Sequence, residues 1–312
     1  MTQQEVANVN FRSAEKLHQH NDCNIVNQIT YAKEVELTCT ISKSNYRGDL
    51  LQIVTPLPGC IIIRNALSIL EQQMLIQQSL VEYPQYYPNV LQKDYELNDL
   101  NVFEAYVNND QTPVCERQFH GICPVTDRSY ARKKINTLPA SSLLKKNRWT
   151  ILGREFDWVN RSYTPTKFPI PPLIDSVTQK IMKATCEFTK FDKMKIEAGV
   201  VNYYKHKDRM MAHVDLSEQN MCVPLVSFSL GATGILLMGT KDRKDPPVAI
   251  ELHSGDALIM YDQCRYAYHG IPRIKNTDFS KLRESDLEYY DQVYKFMTEK
   301  NMRININVRQ IE

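Results

Sequence analysis

Apolar residues follow two different patterns on either side of residue 196. Beyond it they fall in short runs or at alternate positions, and they predict strands over 198–204, 222–230, 234–238, 248–252, 257–261 and 303–308. His253-Ser254-Gly255-Asp256 predicts a turn between two of these. Short strands at such close spacing predict a sandwich or barrel. Before residue 196 the pattern is mixed. Cys60-Ile61-Ile62-Ile63 follows Pro58-Gly59 and predicts a short buried strand. Residues 66–82 have helical spacing, with Leu67, Leu70, Met74 and Leu75 on the predicted buried face. Residues 83–137 show only a weak pattern and predict irregular structure with short helices. A short helix is predicted over 141–146, an aromatic-rich hairpin around Gly153 over 148–158, and a helix over 173–188. The first forty residues are polar without a clean period and are expected to be poorly specified, partly disordered.

A chain of 312 residues can bury one substantial core or two small ones. Its 43% hydrophobic and 24% charged residues are those of an ordinary globular protein. A net charge of +2 means that any nucleic-acid binding must come from local basic patches. No eighteen apolar residues run together, so no membrane-spanning helix is expected. Acidic Glu5 argues against a secretory signal, and Glu5 and Glu15 beside Arg12 give a mitochondrial address no support. The expected location is intracellular, with nucleus, cytoplasm and mitochondrion unresolved. Eight cysteines without a C-x-x-C pair are expected to be reduced thiols. Cys115, His120 and Cys123 cluster in sequence but lack a fourth nearby zinc ligand.

His213 and Asp215 flank Val214. On an extended backbone, residues two apart project to one side, so an imidazole and a carboxylate converge. His269 follows several strands later and would complete a facial triad, which leaves metal positions open as non-haem Fe(II) oxygenases require. The same residues also suit a surface pair or a catalytic zinc. Arg303, Asn305, Asn307 and Arg309 share one face of the last strand, and Ile304, Ile306 and Val308 share the other. Arginine grips carboxylates through two parallel donors. The two α-carbons lie about 20 Å apart on an extended strand, so a small diacid fits between the arginine reaches. Asn202 and Tyr204 share a face of another strand and could hydrogen-bond the same ligand.

Asn202-x-Tyr204, His213-x-Asp215, His269 and Arg303-x-Asn305-x-Asn307-x-Arg309 stand in an order that resembles the AlkB dioxygenases, and longer stretches resemble the AlkB homologue 1 branch. These stretches are 197–204, 213–218, 224–230, 253–256, 272–273 and 308–310, with 58–63 and 142–149 upstream. The resemblance covers roughly residues 55 to 312. It implies an α+β protein with a double-stranded β-helix (jelly-roll) core, preceded by N-terminal helical elements and a nucleotide-recognition lid. The expected division is a variable region over 1–50, helical elements and lid over 51–195, and the dioxygenase core over 196–312. An insertion over about 275–302 is expected to hold a helix on the barrel.

By the same resemblance, His213, Asp215 and His269 would hold Fe(II). Arg303 would pair with the distal carboxylate of 2-oxoglutarate and Arg309 with the end nearer the metal. Asn202, Tyr204 and Asn305 would also serve the co-substrate, and O2 would be the oxidant. Trp149 falls where the family places an aromatic over the target base, although core packing explains a tryptophan as well. Ser217 stands where many AlkB enzymes carry an acid, as in the homologue 1 branch. Basic Arg128, Arg132, Lys133, Lys134, Lys145, Lys146 and Arg148, with Tyr130 and Trp149 between them, suit a phosphate-contacting surface or a solvated charged face. The expected function is oxidative demethylation or oxidation of methylated bases, in tRNA first and DNA second, by a monomer without membrane contact. A protein side-chain hydroxylase on the same core and a silent nucleic-acid-binding module are the alternatives. A zinc hydrolase would have no use for the Arg-Asn-Asn-Arg face.

Overall fold

A computed structural model describes residues 10–19, 36–37, 52–97, 100–108, 111–119, 130–157 and 160–312. Its strands are β1 Glu36–Leu37, β2 Gln52–Leu57, β3 Cys60–Arg64, β4 Tyr95–Glu96, β5 Gln111–Phe119, β6 Tyr130–Pro139, β7 Trp149–Asp157 and β8 Ser162–Lys167. They continue with β9 Ala198–Tyr204, β10 Met210–His213, β11 Leu225–Gly231, β12 Gly234–Met238, β13 Val248–Leu252, β14 Ala257–Met260, β15 His269–Ile274 and β16 Arg303–Arg309. A nine-stranded sheet runs β1-β2-β3-β14-β11-β16-β9-β7-β8, and a four-stranded sheet runs β10-β15-β12-β13. The larger sheet draws strands from both sides of residue 196.

Alternation places β16. Ile304, Ile306 and Val308 are fully buried on one face, where they join Leu75, Ile76, Val177 and Ile181 of helices Ile69–Gln77 and Pro172–Ala184 in one cluster. Each such aliphatic side chain contributes about 1.5–3 kcal/mol when taken from water. The opposite face of β16 carries Arg303, Asn305, Asn307 and Arg309 into the space between the two sheets. The polar face predicted by alternation is therefore an interior face.

Several expectations hold, and several need correction. Cys60–Arg64 is a buried strand, and the insertion forms helix Tyr290–Lys300 with Val293, Phe296 and Met297 buried. The helix expected from 66 starts at Ile69 instead. Ser68 caps it, accepting from the Glu71 amide at 3.2 Å while Glu71 accepts from the Ser68 amide at 2.9 Å. Its buried face is also different. Leu70 is 54% exposed, whereas Gln72 and Gln73 are buried and donate to the carbonyls of Leu67 and Glu284. Residues 83–137 hold the expected short helices but also a long antiparallel hairpin, β5–β6.

Gly153 is not a turn. It sits inside β7 at φ +69, where an added Cβ would lie 2.4 Å from the Glu197 carbonyl, so glycine there permits close approach to the neighbouring chain. Strands β10 and β15 have no counterpart among the expectations.

The N-terminal region is also more ordered than its composition suggests. Helix α1 (Phe11–Gln19) packs on the outer face of the four-stranded sheet. Phe11 and Ala14 cluster with Ile235, Leu237 and Ala249, while Leu236 between them faces the opposite way. Glu15 is buried and accepts the Ala212 amide at 2.6 Å. Among the described residues no helix is long and apolar enough to cross a membrane.

Candidate functional site

The register of β10 against β15 sets His213 opposite His269. Their rings are 4.3 Å apart between centroids. Asp215, two residues beyond the end of β10, turns its carboxylate back between them, 3.8 Å from His213 Nε2 and 3.9 Å from His269 Nε2. The three ligand atoms all lie within 4.8 Å of one another. Nδ1 of His213 lies 2.9 Å from the Met211 carbonyl, and Nδ1 of His269 lies 3.1 Å from that of Ala267. A carbonyl can only accept, so each Nδ1 carries the proton and each Nε2 offers its lone pair to the centre. Burial opposes ionisation of Asp215, but Arg309 and the two histidines outweigh it and hold the carboxyl well below the usual carboxylate range. Burial lowers His269 to about 4, a neutral imidazole at physiological pH. Two neutral imidazoles and one carboxylate, open on one side to a cavity, fit a divalent iron.

That cavity encloses about 470 Å3 between the sheets. Its walls include Asn202, Tyr204, Ser217, Arg303, Asn305 and Arg309 together with the three clustered residues. Sequence reasoning is met at all of these positions in one place. Arg303 is 1% exposed; its Nη2 donates to Ser229 Oγ at 2.8 Å, and its Nε has no partner. Among the described residues no carboxylate lies within ion-pair distance of it. Burial pushes its guanidinium down to about 10, so it remains charged. A buried cation without a counter-ion is costly unless an anion comes to it. Gly234 makes room for this side chain, because a Cβ there would stand 2.9 Å from Arg303 Nε. Asn305 is used internally and donates to Ser227 Oγ at 2.7 Å.

Arg309 lies at the other end of the strand, 3.5 Å from Asp215. Its second partner was not anticipated from sequence. Glu218, fully buried, accepts from Arg309 at 2.7 Å, from Arg265 at 3.0 Å and from the Tyr163 hydroxyl at 3.0 Å. Burial alone would raise the Glu218 carboxyl, and the two guanidiniums pull it below its usual value. Glu218 lies three residues beyond Asp215, a spacing that could have drawn attention. Arg265 gives no sequence signal. The cavity mouth adds Arg154, Phe156, Arg161 and Tyr163 from β7 and β8, with the rings of Phe156 and Tyr163 packed edge to face at 5.1 Å.

Trp149 does not line this cavity. It pairs in register with Asn202 and lines a second one of about 480 Å3. Lys145, Lys146 and Arg148 are exposed nearby. Lys133 and Lys134 lie on β6 with Arg132 and Tyr130, but their side chains fall outside the described structure, as do Arg128, His120 and Cys123.

The 2OG-Fe(II) oxygenase superfamily profile matches residues 59–309. The "DNA N(6)-methyladenine demethylase ALKBH1A" of Arabidopsis thaliana is 33% identical over 263 residues, which cover 81% of this chain and 75% of that protein. The "tRNA demethylase abh1" of Schizosaccharomyces pombe is 31% identical over 262 residues, 81% of this chain and 79% of that one. The solved structure of OsALKBH1 superposes with a TM-score of 0.51 at 19% identity, covering 83% of this chain and 99% of that chain, which shows a common fold.

Proposed function

Because the chain belongs to the 2OG-Fe(II) oxygenase superfamily, among the AlkB homologue 1 proteins, we propose that it oxidises methyl groups on the bases of nucleic acid. It is an Fe(II)- and 2-oxoglutarate-dependent dioxygenase. The observation that carries the assignment of residues is the buried, uncompensated Arg303 facing the same cavity as His213, Asp215 and His269. In this reading those three residues hold the iron. Arg303 takes the far carboxylate of 2-oxoglutarate, and Tyr204 and Asn202 line its length. Arg309, fixed by Glu218, takes the end near the metal. Asn305 shapes the floor. Iron, 2-oxoglutarate and O2 together supply the oxidising power that places a hydroxyl on a methyl carbon, with succinate and carbon dioxide as co-products. An N-hydroxymethyl group then loses formaldehyde and restores the base, whereas a methyl on a ring carbon remains as hydroxymethyl or formyl.

The base enters past Phe156 and Tyr163, beside Ser217, and must leave any stack to do so. Residues 51–195 act as lid and supports in this reading, with Lys133 and Lys134 on a phosphate-contacting surface. The expected substrate is structured RNA, transfer RNA first, because an unpaired loop base is cheaper to extrude than a paired one. Nucleus and mitochondrion are the proposed compartments, and the chain is proposed to act as a monomer.

One methylated base presented in a hairpin loop, in a duplex and as a free nucleoside tests the substrate, with products read by mass spectrometry and succinate measured alongside. The loop substrate is expected to react fastest, and His213→Ala to lose both bound iron and succinate formation. Undiminished turnover in His213→Ala would overturn the metal assignment. Equal activity on the free nucleoside and the loop would overturn the nucleic-acid one.

A further inference from the structure

A polynucleotide with one base in the central cavity must find room for its next nucleotide close by. The second cavity lies there and shares Asn202, Tyr204 and Met210 with the first. Trp149 and Ile151 are two apart on β7 and so share a face; Ile151 lines the first cavity and Trp149 the second. The indole is half-buried, held by the protein but open on one side. The cavity volume of about 480 Å3 is within the range of small-molecule sites.

The rim is basic. Arg148, Lys207 and Arg209 line it and are exposed, and the single acid among them, Asp208, is already engaged. Asp208 pairs with Arg148 and accepts the Lys205 amide at 2.9 Å. Arg209 donates to the neutral amide of Gln19 at 2.9 Å, and among the described residues no carboxylate pairs with Lys207 or Arg209. The crowding of cations is felt next to the rim, where burial lowers the Lys205 ammonium and Arg148 and Lys145 add to that effect.

We propose that this cavity seats the nucleotide adjacent to the target base in a single strand, with its base stacked on Trp149 and its phosphates on Lys207 and Arg209. The proposal rests on the nucleic-acid reading of the central site. A stacking face and separate cations at a shared wall are what an unpaired strand offers partners for: a ring to cover the indole and a phosphate on each side. A duplex keeps its bases covered and cannot reach the indole. The loop over 205–209 and Trp149 are thereby a specificity device for substrate length and for strandedness, acting outside the reacting atoms.

The test uses the full chain carrying Trp158→Phe, so that Trp149 is the only tryptophan, loaded with Mn(II) and 2-oxoglutarate. The probes are a methylated mononucleotide, the same nucleotide within a trinucleotide in RNA and DNA form, a blunt duplex, and triglutamate. The trinucleotide is expected to quench Trp149 fluorescence, and the mononucleotide, duplex and triglutamate to leave it. Trp149→Ala is expected to weaken trinucleotide binding about 5- to 150-fold. The exposed-loop pair Lys207→Ala and Arg209→Ala together is expected to lower the salt slope of log affinity by about 1.4, as for two single-strand phosphates. With the iron enzyme, that pair should raise KM for the trinucleotide more than it lowers kcat. Quenching by the mononucleotide, or equal quenching by triglutamate, would overturn the proposal, as would an unchanged salt slope. If the wild-type enzyme oxidises the mononucleotide and the trinucleotide with equal kcat/KM, the second seat fails while the base-oxidation reading stands. If it oxidises no methylated nucleic acid at all, both fail.

Discussion

Glu218 gives the most direct test of how the site is held together. Its carboxylate is the only described acid touching Arg265 and the closer of two touching Arg309, and all three side chains are buried. Glu218→Gln keeps the shape and removes the charge. Breaking a buried ion pair by losing one partner costs about 3–5 kcal/mol, because the other charge stays behind. Arg309 keeps Asp215 at 3.5 Å, but Arg265 keeps only the Val223 carbonyl at 3.4 Å and the Met221 sulfur at 3.4 Å. The expected loss is therefore near the lower end, about 3 kcal/mol. Equilibrium urea unfolding followed by circular dichroism should show it as a midpoint shift of about 1 M, for a slope of about 3 kcal/mol/M. Tyr163→Phe removes one of three donors to the same carboxylate and should shift the midpoint about half as far. Saturating 2-oxoglutarate should recover more of the midpoint in Glu218→Gln than in the wild type, because its carboxylate supplies Arg309 with a charge. A Glu218→Gln midpoint within about 0.2 M of wild type would refute the reasoning, since on these magnitudes the buried pair cannot be that cheap.

Arg303→Ala should weaken 2-oxoglutarate binding by roughly 10- to 150-fold in calorimetry, the worth of a charge-assisted hydrogen bond of about 1.5–3 kcal/mol. Gly234→Ala should weaken it too, with the strand intact, because its new Cβ meets Arg303 Nε at 2.9 Å and pushes the guanidinium aside. Glu197 accepts the amides of Ile311 at 2.8 Å and Glu312 at 2.9 Å and pairs with Lys195. Burial raises its carboxyl, but these partners prevail and bring it to about 2 from 4.5. Its folded value is depressed, so its contribution is complete above pH 4.5 and is lost as pH falls towards 2. A Glu197→Gln variant should be less stable at pH 6, and the difference from wild type should shrink steadily below pH 4 in thermal melts.

The legible part of the site was the part written locally. β16 alternates at period two, and its two faces differ in chemistry, so both the packing side and the ligand side could be read from seven residues. Three metal-type side chains were legible only as an order along the chain. β10 reads Met210-Met211-Ala212-His213 and β15 begins His269-Gly270-Ile271-Pro272, and neither alternates, so the register that joins the two histidines left no pattern. Glu218 and Arg265 meet across 47 residues, and Glu15 and Ala212 across 197, distances at which no local period can speak. Gly153 shows the opposite error, since a glycine between aromatics suggests a turn while the neighbouring Glu197 carbonyl is what requires it. Leu70 was assigned inward by period and lies outward, because Gln72 and Gln73 find buried carbonyls that stand in for water.

The central place of β16 in the larger sheet has a consequence for the chain as it is being made. β9 and β11 pair with β16 on its two sides, and β9 precedes it by about a hundred residues. At roughly 5–20 residues per second, β9 waits on the order of 5 to 20 s on the ribosome before its partner exists. During that interval two strands that will be interior present bare edges, the condition in which nascent chains capture one another. Cells short of chaperones should therefore lose this protein to aggregates during synthesis more readily than after it, and a stop codon anywhere before residue 303 should leave insoluble fragments in place of a shortened enzyme.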